Sequence, residues 1–185
     1  MAAQPGRILI PREDIAARVG ELGRAIGREY AGRYPLLVGV LKGAAIFMSD
    51  LIRSIPVPIA IDYMGVASYG AGVTSSGIVR LTSDLSVSIE GRDVLIVEDV
   101  VDSGRTLDYL QRNFATRRPR SVGVCALLDK IERRVVDVTV DYVGFAIPDV
   151  FVVGYGFDVG GAFRGLPDIH VLEGDGAAGA GGGGA

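Results

Sequence analysis

The sequence contains few of the residues that bind metals through sulfur or nitrogen. Among 185 residues, Cys125 is the only cysteine and His170 is the only histidine. A single cysteine excludes an internal disulfide and a cysteine-based zinc site, and a single histidine excludes a histidine-rich metal centre. A Ser-His-Asp hydrolase would have to use His170. Because the G-x-S-x-G motif is also missing, that class of enzyme is disfavoured.

Long apolar runs are missing as well. No run approaches the roughly 18 to 20 residues of a membrane-spanning helix, and residues 1–12 carry polar and charged groups where a signal peptide has an apolar core. We therefore expect a cytoplasmic protein with no membrane partner. The 19 basic and 22 acidic residues give a net charge of −3, which argues against a strong non-specific binder of nucleic acid.

Lysine is scarce. Lys42 and Lys130 are the only lysines among the 19 basic residues, and the other 17 are arginines. A lysine offers a compact ammonium group in places where the planar guanidinium of arginine does not fit. The two lysines are therefore candidates for ligand contacts, with sequence drift as the alternative explanation.

The apolar runs that are present alternate with helical patterns. Runs rich in β-branched residues are typical of strands buried on both faces. They lie at residues 36–41, 57–66, 94–97, 122–128 and 142–147. Apolar residues recur at helical spacing in three further segments, 15–26, 45–52 and 107–114. This alternation predicts an α/β fold with a parallel sheet of about five strands flanked by helices, in a single domain over residues 1–173.

Two segments do not fit a packed core. Residues 67–80 are rich in glycine and serine and are long for a plain connection, so we expect a lid or a two-stranded flap. Residues 174–185 are glycine and alanine apart from Asp175. Such a composition buries too little surface to offset its ordering entropy, and it predicts a disordered tail.

The densest cluster of polar groups lies at residues 94–106, where an apolar strand ends in two carboxylates and leads through a polar loop into a helix. Ligands of parallel sheets bind beyond the carboxyl ends of the strands. The loop Ser103-Gly104-Arg105-Thr106 would present N–H groups and hydroxyls at a helix N-terminus, which favours a phosphate. Because neither G-x-x-x-x-G-K-[ST] nor G-x-G-x-x-G occurs, we expect a phosphate monoester. The alternative is a charged strand end with Asp102 or Ser103 as an N-cap.

Residues 94–106 resemble the phosphoribosyl-pyrophosphate signature of the type I phosphoribosyltransferases, and the resemblance extends from about Ile8 to Leu172. Its other pieces follow in order: Leu41-Lys42-Gly43, Ser68-Tyr69, Leu127-Leu128-Asp129-Lys130 and Val143 to Arg164. The resemblance implies the type I phosphoribosyltransferase fold. It also implies a hood, a small subdomain built from the N-terminal segment and about residues 148–173.

The resemblance further implies an enzyme of purine salvage. The expected reaction transfers the 5-phosphoribosyl group from phosphoribosyl pyrophosphate to N9 of hypoxanthine or guanine, giving IMP or GMP and pyrophosphate, with Mg²⁺ as cofactor. The implied partners are these two substrates and a second copy of the chain, in a homodimer or homotetramer, without nucleic acid.

Residue roles follow from the same resemblance. Asp102 corresponds to the general base at the purine N7, and Ser103 to Thr106 correspond to the 5-phosphate loop. Glu98 and Asp99 correspond to the groups that hold the ribose hydroxyls and magnesium, and Asp158 corresponds to a second magnesium ligand.

The remaining roles concern pyrophosphate, the base and the lid. By resemblance, Lys42, Gly43 and Arg164 contact pyrophosphate, and a cis peptide before the lysine is typical. The resemblance also implies that Lys130 donates to the base O6, which would reject adenine because its 6-amino group is itself a donor. It further implies that Phe151 stacks on the base, that the Val152 backbone reads its edge, and that Ser68 and Tyr69 close over the site. From the residues alone, a lysine at the sheet edge and a phenylalanine in the core remain alternatives.

Two other functions stay open. A nucleotide-sensing regulator with the same fold could bind RNA, but such proteins carry an aromatic residue where this chain has Asp102, and they lack the 151–158 segment. A sister transferase could accept xanthine, which differs from guanine only at the 2-position.

Overall fold

The computed structural model describes residues 3–69 and 78–174. In chain order the elements are β1 (Gln4–Ile10), α1 (Arg12–Glu29), β2 (Leu36–Leu41), α2 (Ala45–Ser54), β3 (Ala60–Tyr69), β4 (Ile78–Ser83), β5 (Asp93–Val101), α3 (Arg105–Ala115), β6 (Ser121–Asp129), β7 (Tyr142–Ala146), β8 (Val152–Val153) and β9 (Ile169–Glu173). A short 3-10 helix, Ile131–Arg133, follows β6. Residues 70–77 of the expected lid and 175–185 of the expected tail lie outside the described residues.

The central sheet has the strand order β4-β3-β2-β5-β6-β7. Five of its strands pair in parallel, namely β3, β2, β5, β6 and β7. The sixth, β4, pairs antiparallel with β3 at one edge. The predicted α/β fold with a parallel sheet of about five strands is therefore confirmed. The sixth strand, β4, begins inside the segment expected to form a lid or flap.

Burial on both faces explains why the central strands read as continuous apolar runs. In β2, Leu37 packs on the side of α1 and α2, while Leu36 and Val38 pack on the side of α3. Alternate residues of a strand point to opposite faces, so each face requires its own apolar set. Each fully buried Leu, Ile or Val contributes about 1.5–3 kcal/mol relative to exposure, and these two layers therefore carry most of the stability.

The helices supply matching apolar faces. The α1 helix buries one side chain per turn along the stripe Ile15, Val19, Leu22 and Ile26. It lies close to the end of α2, because a Cβ built on Gly23 would be 2.5 Å from Cβ of Ser54. No helix in the described part of the chain is long and apolar enough to span a membrane.

A second, three-stranded antiparallel sheet has the order β1-β9-β8. It joins the N-terminal strand to two strands from the region after residue 148. Apolar residues from it, among them Ile10, Val152 and Ile169, belong to the same core layer as α1 and α2. This contact fixes the second sheet beside the central one.

Asp93 anchors the amino-terminal end of β5. The carboxylate of Asp93 is buried and accepts hydrogen bonds from Arg33 Nη2 at 2.6 Å, Ser121 Oγ at 2.6 Å and Arg120 Nη1 at 2.9 Å. The hydrogen bond from Arg33 is the largest of the effects that lower the pKa of Asp93 to about 2. The ionised carboxylate is therefore fully compensated, and it ties the starts of β5 and β6 together.

An Asp93→Asn variant is expected to lower the free energy of unfolding by about 1.5–3 kcal/mol at pH 7, the usual value of hydrogen bonds to a charged group. Because the folded-state pKa of Asp93 is lowered from 3.8 to about 2, its contribution is complete above about pH 4 and is lost as the pH falls through 2. Urea unfolding across this pH range measures the difference. In the control, Asp84→Asn, the exposed Asp84–Arg117 pair should contribute no more than about 1 kcal/mol. Equal effects of the two changes would contradict the prediction.

Candidate active site

The carboxyl ends of β2, β5 and β6 lie side by side, since β5 pairs with both of its neighbours. The loops that follow these strands contain Lys42, Asp102 and Lys130. The Lys130 N–H donates to the carbonyl of Val101, at 3.0 Å, which joins the loop after β6 to the end of β5. The sheet thus brings together three of the segments in which ligand contacts were predicted.

Glu98 and Asp99 are buried near the end of β5, with 5% and 9% of their surface exposed. Burial raises the pKa of Glu98 well above its ordinary value, and the neighbouring charge of Asp99 adds to the increase. Burial also raises the pKa of Asp99, although the backbone N–H of Val100 donates to its Oδ1 at 2.8 Å. Two buried carboxylates without enough donors form a place that favours a cation or hydroxyl donors.

The loop after β2 packs directly on Asp99. A Cβ built on Gly43 would lie 1.6 Å from Asp99 Oδ2, and one built on Gly156 would lie 2.3 Å from the carbonyl oxygen of Gly43. The Leu41–Lys42 peptide bond is cis. Lys42 itself is exposed, next to this tightly packed turn. Only glycine fits at positions 43 and 156 in this arrangement.

Among the described residues, the polar loop between β5 and α3 leaves the N-terminus of α3 without a side-chain cap. Gly104 is the N-cap residue of α3 and has a φ of 84°, in the left-handed region that favours glycine. No side chain caps this helix in the described structure, so the expected alternative, an N-cap formed by Asp102 or Ser103, is not found. The first N–H groups of α3, from Arg105 and Thr106, therefore lie at a helix terminus suited to an anion.

The segment after the 3-10 helix supports this loop from behind. The N–H groups of Val135 and Val136 donate to the carbonyl of Ser103, at 3.1 and 3.2 Å. A Cβ on Gly104 would lie 3.0 Å from the carbonyl oxygen of Val136. The loop is therefore held by backbone contacts, and position 104 requires glycine.

Lys130 and Phe151 lie together at the site. The Lys130 Nζ is 5.9 Å from the centroid of the Phe151 ring, within the range of a cation–π contact, and its side chain is 8% exposed. Phe151 is partly buried, and Val152 is buried in β8. A planar base bound here would meet an aromatic ring, an ammonium donor and backbone groups.

Arg164 and Asp158 form an ion pair near Asp99. The Nη2 of Arg164 is 2.5 Å from Oδ1 of Asp158, and its Nη1 donates to the carbonyl of Gly156 at 2.6 Å. Oδ2 of Asp158 accepts from the N–H of Gly161 at 2.6 Å. Arg164 lowers the pKa of Asp99 and Asp158 raises it, although burial remains the largest influence.

Carboxylates are the candidate metal ligands here. Among residues 3–69 and 78–174, no three acidic, histidine or cysteine side chains converge on one point. Mg²⁺ is usually held by one or two carboxylates together with water and substrate oxygens, so it does not require such a cage. The uncompensated charge of Glu98 and Asp99, with Asp158 nearby, fits a Mg²⁺ ion that a substrate helps to bind.

The structure adds two residues, Arg133 and Asp149, that the sequence analysis did not identify. Arg133 donates from Nε to Oδ1 of Asp102 at 3.0 Å and from Nη1 to Oδ2 of Asp149 at 3.2 Å. The bond to Asp102 is the main reason why the pKa of Arg133 is raised. The only feature of the sequence that could have indicated a role for Arg133 is its position three residues after Lys130, and many surface arginines lie as close to a candidate site residue.

The predicted lid residues are described only by their backbone. Ser68 and Tyr69 lie at the end of β3 and pair with Val79 and Ile78 of β4. Residues 70–77, which follow them, lie outside the described residues. The expected closure over the site therefore stays a prediction.

Comparison with known proteins agrees with this geometry. A family model of the phosphoribosyl transferase domain matches residues 11–159. The hypoxanthine-guanine phosphoribosyltransferase of Mycobacterium avium is 52% identical over 172 residues, covering 90% of this chain and 85% of that protein. The crystal structure of a hypoxanthine-guanine phosphoribosyltransferase from Bacillus anthracis has a TM-score of 0.88 and 40% identity, covering 94% of this chain and all of that one.

The chain therefore belongs to the phosphoribosyltransferase family, as the resemblance of its sequence indicated. Within that family, its place is among the hypoxanthine-guanine phosphoribosyltransferases. A related domain also occurs in a longer protein. The bifunctional protein TilS/HprT of Listeria monocytogenes is 48% identical over 167 residues, covering 90% of this chain, which spans about a quarter (26%) of that protein's length.

A Gly43→Ala variant tests the packing of the β2 loop on Asp99. The added methyl group would overlap the carboxylate at 1.6 Å, and overpacking of this kind costs about 1–3 kcal/mol. Urea unfolding should therefore show a loss of this size. Gly165→Ala is the control, because no atom lies within 4 Å of a Cβ at that position, and its stability should be unchanged or up to about 1 kcal/mol higher. If Gly43→Ala were as stable as the wild type, the loop after β2 would not be tightly packed against Asp99.

Proposed function

We propose that this protein transfers the 5-phosphoribosyl group of phosphoribosyl pyrophosphate to N9 of hypoxanthine or guanine, releasing pyrophosphate. The observation that carries the proposal is the meeting of an anion site and a base site at one sheet edge. The Lys130 N–H donates to the carbonyl of Val101, at 3.0 Å, one residue before Asp102 and four before the first residue of α3, whose N-terminus has no side-chain cap among the described residues. A phosphorylated sugar and a planar base would therefore bind side by side.

In the proposed reaction, the bond from C1 of the ribose to pyrophosphate breaks as the bond from C1 to the purine N9 forms. Positive charge develops on the sugar and negative charge on the leaving group, so fixed donors at the leaving group accelerate the reaction. Lys42, Gly43 and Arg164 are the residues we assign to pyrophosphate. Ser103, Gly104, Arg105 and Thr106 are assigned to the 5-phosphate.

Asp102 is the proposed general base for the proton on the purine N7. Asp102 directly precedes the phosphate loop in the chain, and about a third of its side chain (35%) is exposed. A carboxylate at this position can accept the proton as the base becomes bonded to the sugar. Lys130 would donate to O6, Phe151 would stack on the ring, and the Val152 backbone would read its edge.

Mg²⁺ is the proposed cofactor, held by Glu98, Asp99 and Asp158 together with substrate oxygens. When bound, it would neutralise charge on the leaving group. The proposal is supported by the raised pKa values of Glu98 and Asp99, since a cation would replace the compensation that these buried carboxylates lack. The two carboxylates would also accept hydrogen bonds from the ribose hydroxyls.

The test of this function is an assay with phosphoribosyl pyrophosphate, Mg²⁺ and one base at a time: hypoxanthine, guanine, xanthine, adenine or uracil. Nucleotide should form from hypoxanthine and guanine and should require the metal. Product from xanthine as well would widen the specificity without changing the mechanism. No product from any base would overturn the proposal and favour the regulator, and an RNA mobility shift at physiological salt would then test that function.

Other parts of the proposal follow from the family alone. Ser68 and Tyr69 are proposed to close over the site and exclude water, which would otherwise compete with the base as a nucleophile. The cytoplasmic location, the homodimer or homotetramer and the hood as a separate subdomain stay predictions.

Replacing Asp102 by asparagine should slow turnover by a factor on the order of 10² to 10⁴, because the amide cannot accept the N7 proton. The KM values for both substrates should change little, since size and shape are retained. Steady-state kinetics with hypoxanthine measures both quantities. Wild-type turnover of Asp102→Asn would remove this residue from the proposed role.

Replacing Lys130 by alanine should lower kcat/KM for hypoxanthine by roughly 10- to 150-fold. That range corresponds to the loss of about 1.5–3 kcal/mol from one hydrogen bond to a charged group. The KM for phosphoribosyl pyrophosphate should be unaffected, and this serves as the internal control. If the KM values for hypoxanthine and phosphoribosyl pyrophosphate rose equally, the variant would be disturbing the loop after β6 instead of the contact with O6.

A further inference from the structure

Arg133 links the proposed general base to the lysine that is proposed to read the purine. Its Nε donates to Oδ1 of Asp102 at 3.0 Å, and its Nη1 donates to Oδ2 of Asp149 at 3.2 Å. The other oxygen of Asp149, Oδ1, is 3.7 Å from Nζ of Lys130. The four side chains therefore form a row of alternating charge, Asp102, Arg133, Asp149 and Lys130.

The backbone around Arg133 is itself fixed. Arg133 ends the short 3-10 helix, and its N–H donates to the carbonyl of Lys130 at 3.0 Å. The next turn of chain, at Val135 and Val136, is bonded to the carbonyl of Ser103 in the phosphate loop. The segment that carries Arg133 is therefore hydrogen-bonded both to Lys130, which is proposed to read the base, and to Ser103 in the phosphate loop.

The Asp102–Arg133 and Arg133–Asp149 ion pairs contribute little to stability. The side chains of Asp102, Arg133 and Asp149 are 35%, 41% and 47% exposed. Exposed ion pairs typically contribute about 0–1 kcal/mol, so these two pairs are not needed to hold the fold together. Its geometry has a different consequence. The planar fork of an arginine fixes two acceptors at once, whereas the single ammonium of a lysine leaves their directions free.

We propose that Arg133 is a positioning residue for Asp102. It binds Oδ1 and so directs Oδ2 of the carboxylate at the purine N7, while Asp149 keeps Arg133 and Lys130 at a constant separation. The base-reading contact and the proton-accepting contact are then set by one network. This inference depends on the proposed function, because it takes Asp102 as the general base.

The test compares Arg133→Gln with a matched control. Arg112→Gln removes an arginine whose Nε is also 3.0 Å from an aspartate oxygen, Oδ1 of Asp108, on the surface of α3. Because a small misplacement of a reacting group can slow catalysis about 10²-fold, Arg133→Gln should lower kcat by a factor between about 10 and 10². KM for phosphoribosyl pyrophosphate and the melting temperature should remain close to wild type. Arg112→Gln should leave all three quantities unchanged.

Two further variants separate positioning from a general structural effect. Arg133→Lys keeps the charge and should recover part of the lost kcat, because it can still bond Oδ1 of Asp102 but cannot hold both carboxylates. In an Asp102→Asn background, Arg133→Gln should cause little further loss, since an arginine that acts through Asp102 has nothing left to position. Arg133→Lys also serves as the test variant if Arg133→Gln does not fold.

The outcomes distinguish this inference from the proposed function. If the wild-type protein makes no nucleotide, or if Asp102→Asn is fully active, the proposed function or the role of Asp102 fails first, and this inference fails with it. If both behave as proposed but Arg133→Gln matches Arg112→Gln, only the positioning role is wrong. A higher kcat for Arg133→Gln, or an equal loss in the Asp102→Asn background, would also overturn it.

Discussion

The parallel pairing of β2, β5 and β6 is the constraint on which the site depends. In this register Leu36 pairs with Val94, and Val94 pairs with Val122, so the three strands run together and end at one edge. Parallel strands need both faces covered, which explains the two apolar layers under α1, α2 and α3. The same pairing places the loops that carry Lys42, Asp102 and Lys130 next to one another. The position of these loops is thus a consequence of how the core strands pair.

One strand, β5, carries two opposite electrostatic situations. At its start, the buried carboxylate of Asp93 receives three hydrogen bonds, two of them from arginines, and its pKa falls to about 2. Near its end, Glu98 and Asp99 are also buried, but burial outweighs their compensation and their pKa values rise. The first arrangement is complete without a ligand, and the second is not. Compensation is therefore incomplete at the end of β5, where the proposed Mg²⁺ and ribose would supply it.

Much of this could be predicted from the sequence, since the relevant signals are local. The runs 36–41 and 94–97 are apolar without alternation, and the order of residues in 94–106 places carboxylates and a glycine at a strand-to-helix junction. The close packing of Gly43 against Asp99 could not be predicted, because 56 positions separate these residues and only tertiary packing sets their distance. The same reason hid the contacts of Arg133, because its partners Asp102 and Asp149 are 31 and 16 positions away. The glycine- and serine-rich segment 67–80 was expected to form a lid or a two-stranded flap, and the antiparallel β4 begins within it but continues to Ser83.

Stability and site geometry are therefore supplied by different parts of the molecule. The apolar layers provide the free energy that allows Glu98 and Asp99 to remain buried without full compensation. The loops at the edge contribute little stability, but backbone contacts such as Val135 and Val136 to Ser103 hold them in place. Weak, partly exposed ion pairs are well suited to such a region, because they direct a side chain without committing it to a deep energy minimum. As the proposed general base, Asp102 needs its direction fixed and its second oxygen available. An arginine bonded to one oxygen meets both needs, which a buried and fully compensated carboxylate such as Asp93 could not.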